Sequence, residues 1–270
     1  MTGSNPAPGF ASNPTHRVDI EASPRRVRIE LEGRIIADTT RAQLLRESRH
    51  TPVYYIPRAD VRADILTKTD HSTYCPYKGH ASYYSIKIGN RVEENAIWSY
   101  ETPYDECADI DGHMAFYWKK VDHWYEEDDE IFVHPRDPHK RVDAIASSRA
   151  VKVVLAGETV AESTNALFVF ETGLPTRYYI PRADIRMDLL TRSVTVTRCP
   201  YKGVANYWTA KIGDQTFEDI VWSYEEPIAE QPKLKELLSF YNEKVDAIFV
   251  DGAETVKPAL PAPRGPKKAS

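Results

Sequence analysis

One shift aligns this chain with itself. Moved by 124 residues, the separation of Cys75 and Cys199, the run Tyr54-Tyr55-Ile56-Pro57-Arg58-Ala59-Asp60 falls on Tyr178-Tyr179-Ile180-Pro181-Arg182-Ala183-Asp184 without a mismatch. The same shift, without a gap, pairs Cys75-Pro76-Tyr77-Lys78-Gly79 with Cys199-Pro200-Tyr201-Lys202-Gly203, and Trp98-Ser99-Tyr100-Glu101 with Trp222-Ser223-Tyr224-Glu225. About forty positions agree between residues 26–125 and 150–249, the mark of a duplicated domain rather than of a shared local motif. A unit of roughly 100 residues closes its own core, whereas a solenoid unit of about 20 to 50 residues does not. Two self-contained homologous domains are therefore expected, paired within the chain as many homodimers pair between chains.

The expected boundaries are a disordered N-terminal tail over 1–16, a first domain over 17–125, a connector over 126–149, a second domain over 150–250 and a disordered C-terminal tail over 251–270. The connector rests on the acidic run Glu126-Glu127-Asp128-Asp129-Glu130 and on Pro135 and Pro138, where like charges and prolines oppose regular packing. The tails rest on their enrichment in Pro, Gly, Ser, Ala and Lys.

Within the repeats the periodicity is that of strands. Val27, Ile29 and Leu31 alternate with polar residues before a turn at Glu32-Gly33, and Val151, Val153 and Leu155 do so before Gly157. Tyr84, Ile86 and Ile88 run into Gly89-Asn90, as Trp208, Ala210 and Ile212 run into Gly213-Asp214, both hairpin signals. The run Ala166–Phe170 reads as a strand buried on both faces. One short helix is predicted over Pro57–Leu66, where proline can open it and Val61 and Ile65 share a face, and another before Phe240, on Leu234, Leu237 and Leu238. The fold class is thus mainly β, with one or two short helices in each domain.

Bulk properties remove several classes of function. A formal charge of −5 opposes broad attraction to nucleic acid or anionic lipid, neither of which is expected as a partner. No apolar run approaches the roughly 18 residues of a membrane helix, and Met1–His16 lacks the apolar stretch of a secretory signal, so a cytoplasmic location is expected. Three scattered cysteines point to free thiols rather than a disulfide framework. No His of the first copy recurs in the second, and neither copy has a close cysteine pair, so no structural zinc and no shared metal site are expected; any cofactor is unknown.

The motifs common to both copies supply the candidate site. Cys75 stands three residues from Lys78, and Cys199 from Lys202; a nearby ammonium favours a nucleophilic thiolate, or else the segment is a tight turn around a small buried thiol. Glu47 and Glu171 end predicted strands and either move protons in a shared cavity or sit in solvent. Trp98 with Tyr100, and Trp222 with Tyr224, project from one strand face, as a pocket wall or as core; Tyr55 and Tyr179 join them. Arg58 and Arg182 clamp an anion or pair with a local carboxylate. Asp60 with Asp64, and Asp184 with Asp188, share a helical face that could hold magnesium, or else serve a helix start.

As a set, the glutamate ahead of Tyr-Tyr-Ile-Pro-Arg, the Cys-Pro-Tyr-Lys-Gly-x-Ala turn and the Trp-Ser-Tyr-x-x-Pro strand resemble the family of domains of unknown function 427, over nearly everything from Val27 to Val250. The resemblance implies a compact β-tent-like domain, similar to domains that hold zinc at Cys-x-x-Cys knuckles, with Lys78 and Lys202 where the second cysteine of a knuckle would stand. It also implies a nucleotidyltransferase-like label, although the chain lacks that activity's usual Gly-Ser with paired aspartates. The expected function is binding of a small polar or anionic molecule in each domain, lined by Glu47, Tyr55, Cys75, Lys78, Trp98 and Tyr100 and their partners, with thiol catalysis by Cys75 and Cys199 as an extension. A non-catalytic interaction module and nucleotidyl transfer stand as alternatives.

Overall fold

The structure is a computed structural model that describes residues 4–259. The chain divides into two compact units, Met1–Asp137 and Pro138–Ser270. In the first, the strands are β1 (Val18–Ala22), β2 (Val27–Leu31), β3 (Arg34–Thr39), β4 (Gln43–Glu47), β5 (Val53–Pro57), β6 (Leu66–Cys75), β7 (Gly79–Ile88), β8 (Arg91–Ser99), β9 (His113–Phe116), β10 (His123–Glu126) and β11 (Asp129–Ile131). They form a seven-stranded sheet in the order β1-β4-β5-β9-β8-β7-β6 and a four-stranded sheet in the order β11-β10-β2-β3, and every ladder is antiparallel.

The second unit repeats this plan with β12 (Val142–Ala146), β13 (Val151–Leu155), β14 (Glu158–Ser163), β15 (Leu167–Glu171), β16 (Arg177–Ile180), β17 (Leu190–Cys199), β18 (Gly203–Ile212), β19 (Gln215–Pro227), β20 (Leu238–Phe240), β21 (Ala247–Val250) and β22 (Ala253–Glu254). Its sheets run β12-β15-β16-β20-β19-β18-β17 and β14-β13-β21-β22, the same order strand for strand. Even the irregularities recur: the break between Lys68 and Ser72 in β6 returns between Arg192 and Val196 in β17, and that at Ile29/Glu30 returns at Val153/Val154. The architecture is therefore two mainly β domains in tandem, as the duplication requires.

Alternation sorts each large sheet into two apolar faces. In the first unit Tyr54 joins Val27, Ile29, Leu31, Ile97 and Trp124 in a core drawn from both sheets. Its neighbour Tyr55 points the other way, into a second cluster with Leu45, Tyr83, Tyr100 and Cys107. The 3-10 segment Asp105–Ile110 contributes Cys107 and Ile110 to that second face. In β15, Leu167, Phe168 and Val169 are buried to opposite sides while Phe170 is 44% exposed, so the two-sided burial expected for Ala166–Phe170 stops one residue early.

Three expectations need correction. No α-helix forms over Pro57–Leu66; two 3-10 turns, Arg58–Asp60 and Ala63–Ile65, flank Val61, which is extended and bridges to Ala37. That bridge to a distant strand outweighs the local helical spacing, as tertiary pairing routinely does. Asp60 and Asp64 consequently share no helical face: Asp60 accepts from Thr39 and Arg41, and Asp64 from Arg62. Asp184 and Asp188 likewise sit on separate 3-10 turns, paired with Ser163 and Arg186. The leucines before Phe240 also split, between the turn Pro232–Leu234 and β20.

The segments expected as tail and connector carry structure as well. A short helix α1 (Pro8–Ser12) lies on the Pro76-Tyr77 turn, where the Gly9 N–H donates to the Pro76 carbonyl at 2.9 Å and a Cβ on Gly9 would fall 2.6 Å from the Tyr77 ring. Asp105 and Glu106 accept the N–H groups of Asn5 and Ala7. Glu126 ends β10, and Asp129–Ile131 return beside it as β11. The acidic run tolerates this pairing because Arg25 and Tyr54 donate to buried Glu126 and Arg28 pairs with Asp128. Val142–Ala146 is the edge strand of the second large sheet. Of the two expected tails, residues 1–3 and 260–270 lie outside the described residues.

Candidate functional site

The Cys-Pro-Tyr-Lys-Gly turn joins β6 to β7 and depends on its glycine. Gly79 has φ +104° and Gly203 φ +110°, values that side-chain-bearing residues rarely adopt, and a Cβ there would meet the Thr102 carbonyl at 3.3 Å or the Glu226 carbonyl at 3.0 Å. The Lys78 N–H closes the turn onto the Cys75 carbonyl at 3.3 Å, and Lys202 repeats this on Cys199. Closure sends the Lys78 side chain inward, where it is only 8% exposed.

There it meets Glu47 at the end of β4. Lys78 Nζ donates to Glu47 Oε2 at 2.5 Å, and Lys202 Nζ to Glu171 Oε1 at 2.5 Å. Each partner is about nine-tenths buried. In the first unit the second carboxylate oxygen, Oε1, lies 3.0 Å from His16 Nε2, whose ring stacks on Tyr77 at 3.8 Å. Burial pushes the Glu47 carboxyl up, yet the Lys78 charge and the hydrogen bonds from Lys78 and His16 outweigh it and hold the group below the usual carboxylate range.

These groups border a cavity of about 480 Å³ on the outer face of the large sheet, lined by Glu47, Tyr55, Cys75, Lys78, Trp98 and Tyr100 among others. Trp98 on β8 donates its indole N–H to the Tyr55 hydroxyl at 3.1 Å, ring edge to ring face, and Trp222 donates to Tyr179 at 3.0 Å. Burial raises the hydroxyls of Tyr55, Tyr100, Tyr179 and Tyr224, so all four stay protonated and able to donate at neutral pH. Cys75 and Cys199 are half-buried free thiols. The third thiol, Cys107, donates to the Tyr77 carbonyl and is pushed up to about 11 by burial.

The structure thus gathers six sequence-selected residues of the first copy around one cavity. In the second copy Glu171 and Lys202 pair, Tyr179, Trp222 and Tyr224 cluster with Cys199, and the Lys202 ammonium lies over the Tyr224 ring. Arg58 and Arg182 go elsewhere. Arg58 donates to the Tyr84 hydroxyl at 2.7 Å and lies over that ring, and Arg182 lies over Trp208; both rings belong to the cores between the sheets. Sequence reasoning missed His16, which falls within the expected tail, and His50, Tyr83 and Tyr117, which also line the cavity. Tyr83 and Tyr117 were legible as aromatics repeated at Tyr207 and Tyr241. The two histidines carried no such signal, since Lys140 and Leu174 replace them.

Among the described residues, no group of three or more His, Cys, Asp or Glu is placed to hold a metal ion, and no helix is long and apolar enough to cross a membrane. A family model described as Domain of unknown function (DUF427) matches the chain twice, over residues 19–127 and 143–251. No curated protein matches it significantly.

Proposed function

The chain belongs to the DUF427 family, as a tandem pair of its domains, and from that premise we propose that each repeat binds a small polar or anionic molecule at its buried lysine–carboxylate pair. The observation that carries this reading is that pair itself, formed at 2.5 Å in both copies and, in the first, set in the wall of a 480 Å³ cavity. Burying two charges costs several kcal/mol of desolvation for each, and a well-packed apolar pair is often as stable or more so. Packing alone therefore gives little reason for both copies to keep it. Lys78 has three N–H donors and, among the described residues, Glu47 is its one side-chain acceptor, so donors remain for a ligand oxygen. Trp98, Tyr55 and Tyr100 supply the apolar wall with protonated hydroxyls that suits a small-molecule pocket.

Thiol chemistry ranks second to binding, because Lys78, the cation a thiolate would need, is matched by Glu47. Nucleotidyl transfer and a β-tent relationship rest on the family resemblance, and no contact at this site favours the first over binding. NMR titration of the full chain with acetate and with inorganic phosphate tests the proposal. The indole N–H signals of Trp98 and Trp222 should shift saturably, and Lys78→Met should abolish the Trp98 response alone. Unmoved signals, or a Trp98 response that survives in Lys78→Met, would refute it.

A further inference from the structure

Beside the polar cavity of the first unit lies a second one of about 170 Å³. The two share Thr51, Val53, Trp98 and Tyr117 in their linings, so these residues stand between a polar chamber and an annex. Half of the residues lining the annex are Tyr, Trp or Phe, and valines and prolines make up most of the rest. Trp118 and Trp124 stack at 4.5 Å with an interplanar angle of 6°, Phe116 meets Trp124 edge-on, and Trp98 leans on Tyr117 at 4.7 Å. Its volume matches one six-membered ring: an apolar cavity of about 150 Å³ holds benzene.

The second copy keeps the inner part of this arrangement and changes the outer part. Trp222 leans on Tyr241 at 4.6 Å and 49°, as Trp98 leans on Tyr117 at 48°. At the position of Val53, however, stands Arg177, whose guanidinium lies 5.7 Å from the Trp222 ring centroid and binds Glu243 through both terminal nitrogens, at 2.7 and 2.5 Å. Asn242 replaces Trp118 and Ile248 replaces Trp124. An ion pair thus covers the indole face beside which the first copy keeps an open aromatic space.

We infer that the two repeats differ in ligand: the first takes a molecule whose polar head meets Lys78 and whose planar, ring-sized apolar tail enters the annex, and the second takes a head group without such a tail. This rests on the pocket reading proposed above. A planar ring gains twice in the annex, from apolar area removed from water and from stacking on the indoles. In the second copy the same ring would have to displace a paired guanidinium from Trp222, at the cost of leaving Glu243 buried and unpaired.

The test uses the full chain, with acetate as a head-only probe and 3-phenylpropionate as head plus ring, read at the indole N–H signals of Trp98, Trp124 and Trp222. The expected result is that 3-phenylpropionate binds the first repeat at least about tenfold more tightly than acetate and shifts Trp124, while Trp222 reports no such gain. Val53→Arg, which installs the second copy's residue, should collapse the ratio of the two affinities towards one. Trp118→Asn should do the same, and serves if the first variant fails to fold. An equal gain at Trp222, no gain at either repeat, or an unchanged ratio in a folded variant would overturn the inference while leaving the acetate response, and with it the pocket, in place. Silence from both probes at both repeats would instead sink the pocket reading and this inference together.

Discussion

Replacing Lys78 by methionine would strand the Glu47 carboxylate, which is 10% exposed, beside an apolar side chain. Removing one partner of a buried pair typically costs about 3–5 kcal/mol, because the remaining charge keeps its desolvation penalty and loses its counter-charge. His16, 3.0 Å from the other carboxylate oxygen, offsets part of this, which places the expected loss near the lower figure, about 3 kcal/mol. For a domain of roughly 100 residues, each kcal/mol moves Tm by about 4–8 °C, so the first unit should melt at least about 12 °C earlier. The double variant Glu47→Leu/Lys78→Met removes both charges and should return to within about 1 kcal/mol of the wild type. Hydrogen exchange with mass spectrometry on the full chain reads the two units separately, through peptides of β4 and β7 against those of β15 and β18. Protection should fall in the first pair for the single variant and recover in the double. Equal losses in single and double variants, or a single-variant loss below about 1 kcal/mol, would mean that the pair is effectively solvated, and the case built on its burial would fail.

Three further outcomes follow from the same geometry. Because the folded-state Glu47 carboxyl lies below its ordinary value, its contribution to stability is present above that ordinary value and fades as pH falls through the folded one; Glu47→Gln should flatten this part of the acid-unfolding curve, measured by circular dichroism. Gly79→Ala and Gly203→Ala should each cost about 1–3 kcal/mol in denaturant titrations, with Gly203→Ala the worse because its Cβ would meet backbone at 3.0 Å rather than 3.3 Å. In timed alkylation followed by mass spectrometry, Cys107, buried and pushed up to about 11, should label last, well behind half-buried Cys75 and Cys199.

The candidate site was legible in the sequence to the extent that it is repeated. Glu47, Tyr55, Cys75, Lys78, Trp98 and Tyr100 all recur at the same spacing, and all six line one cavity. Recurrence alone does not separate faces of a sheet, which is why Arg58, equally repeated, went to the opposite side against Tyr84. Repetition also hides whatever only one copy holds. His16 comes from a proline- and glycine-containing leader whose docking depends on Tyr77, Asp105 and Glu106, far away in sequence. The short Pro57–Leu66 segment showed helical spacing, yet its conformation was decided by a bridge from Val61 to Ala37 that local pattern does not encode.

By itself the sequence determined that there are two domains, that both are built of strands, and which side chains each must keep, because duplication and period-two alternation are written in residue order. Only the tertiary structure decided that Lys78 meets Glu47, that the segment before β1 supplies a histidine, and that Val53 lines a neighbouring space while Arg177 lies over an indole. Those outcomes depend on which side chains share a desolvated volume. That is set by chain closure between distant segments, and residue order carries no local trace of it.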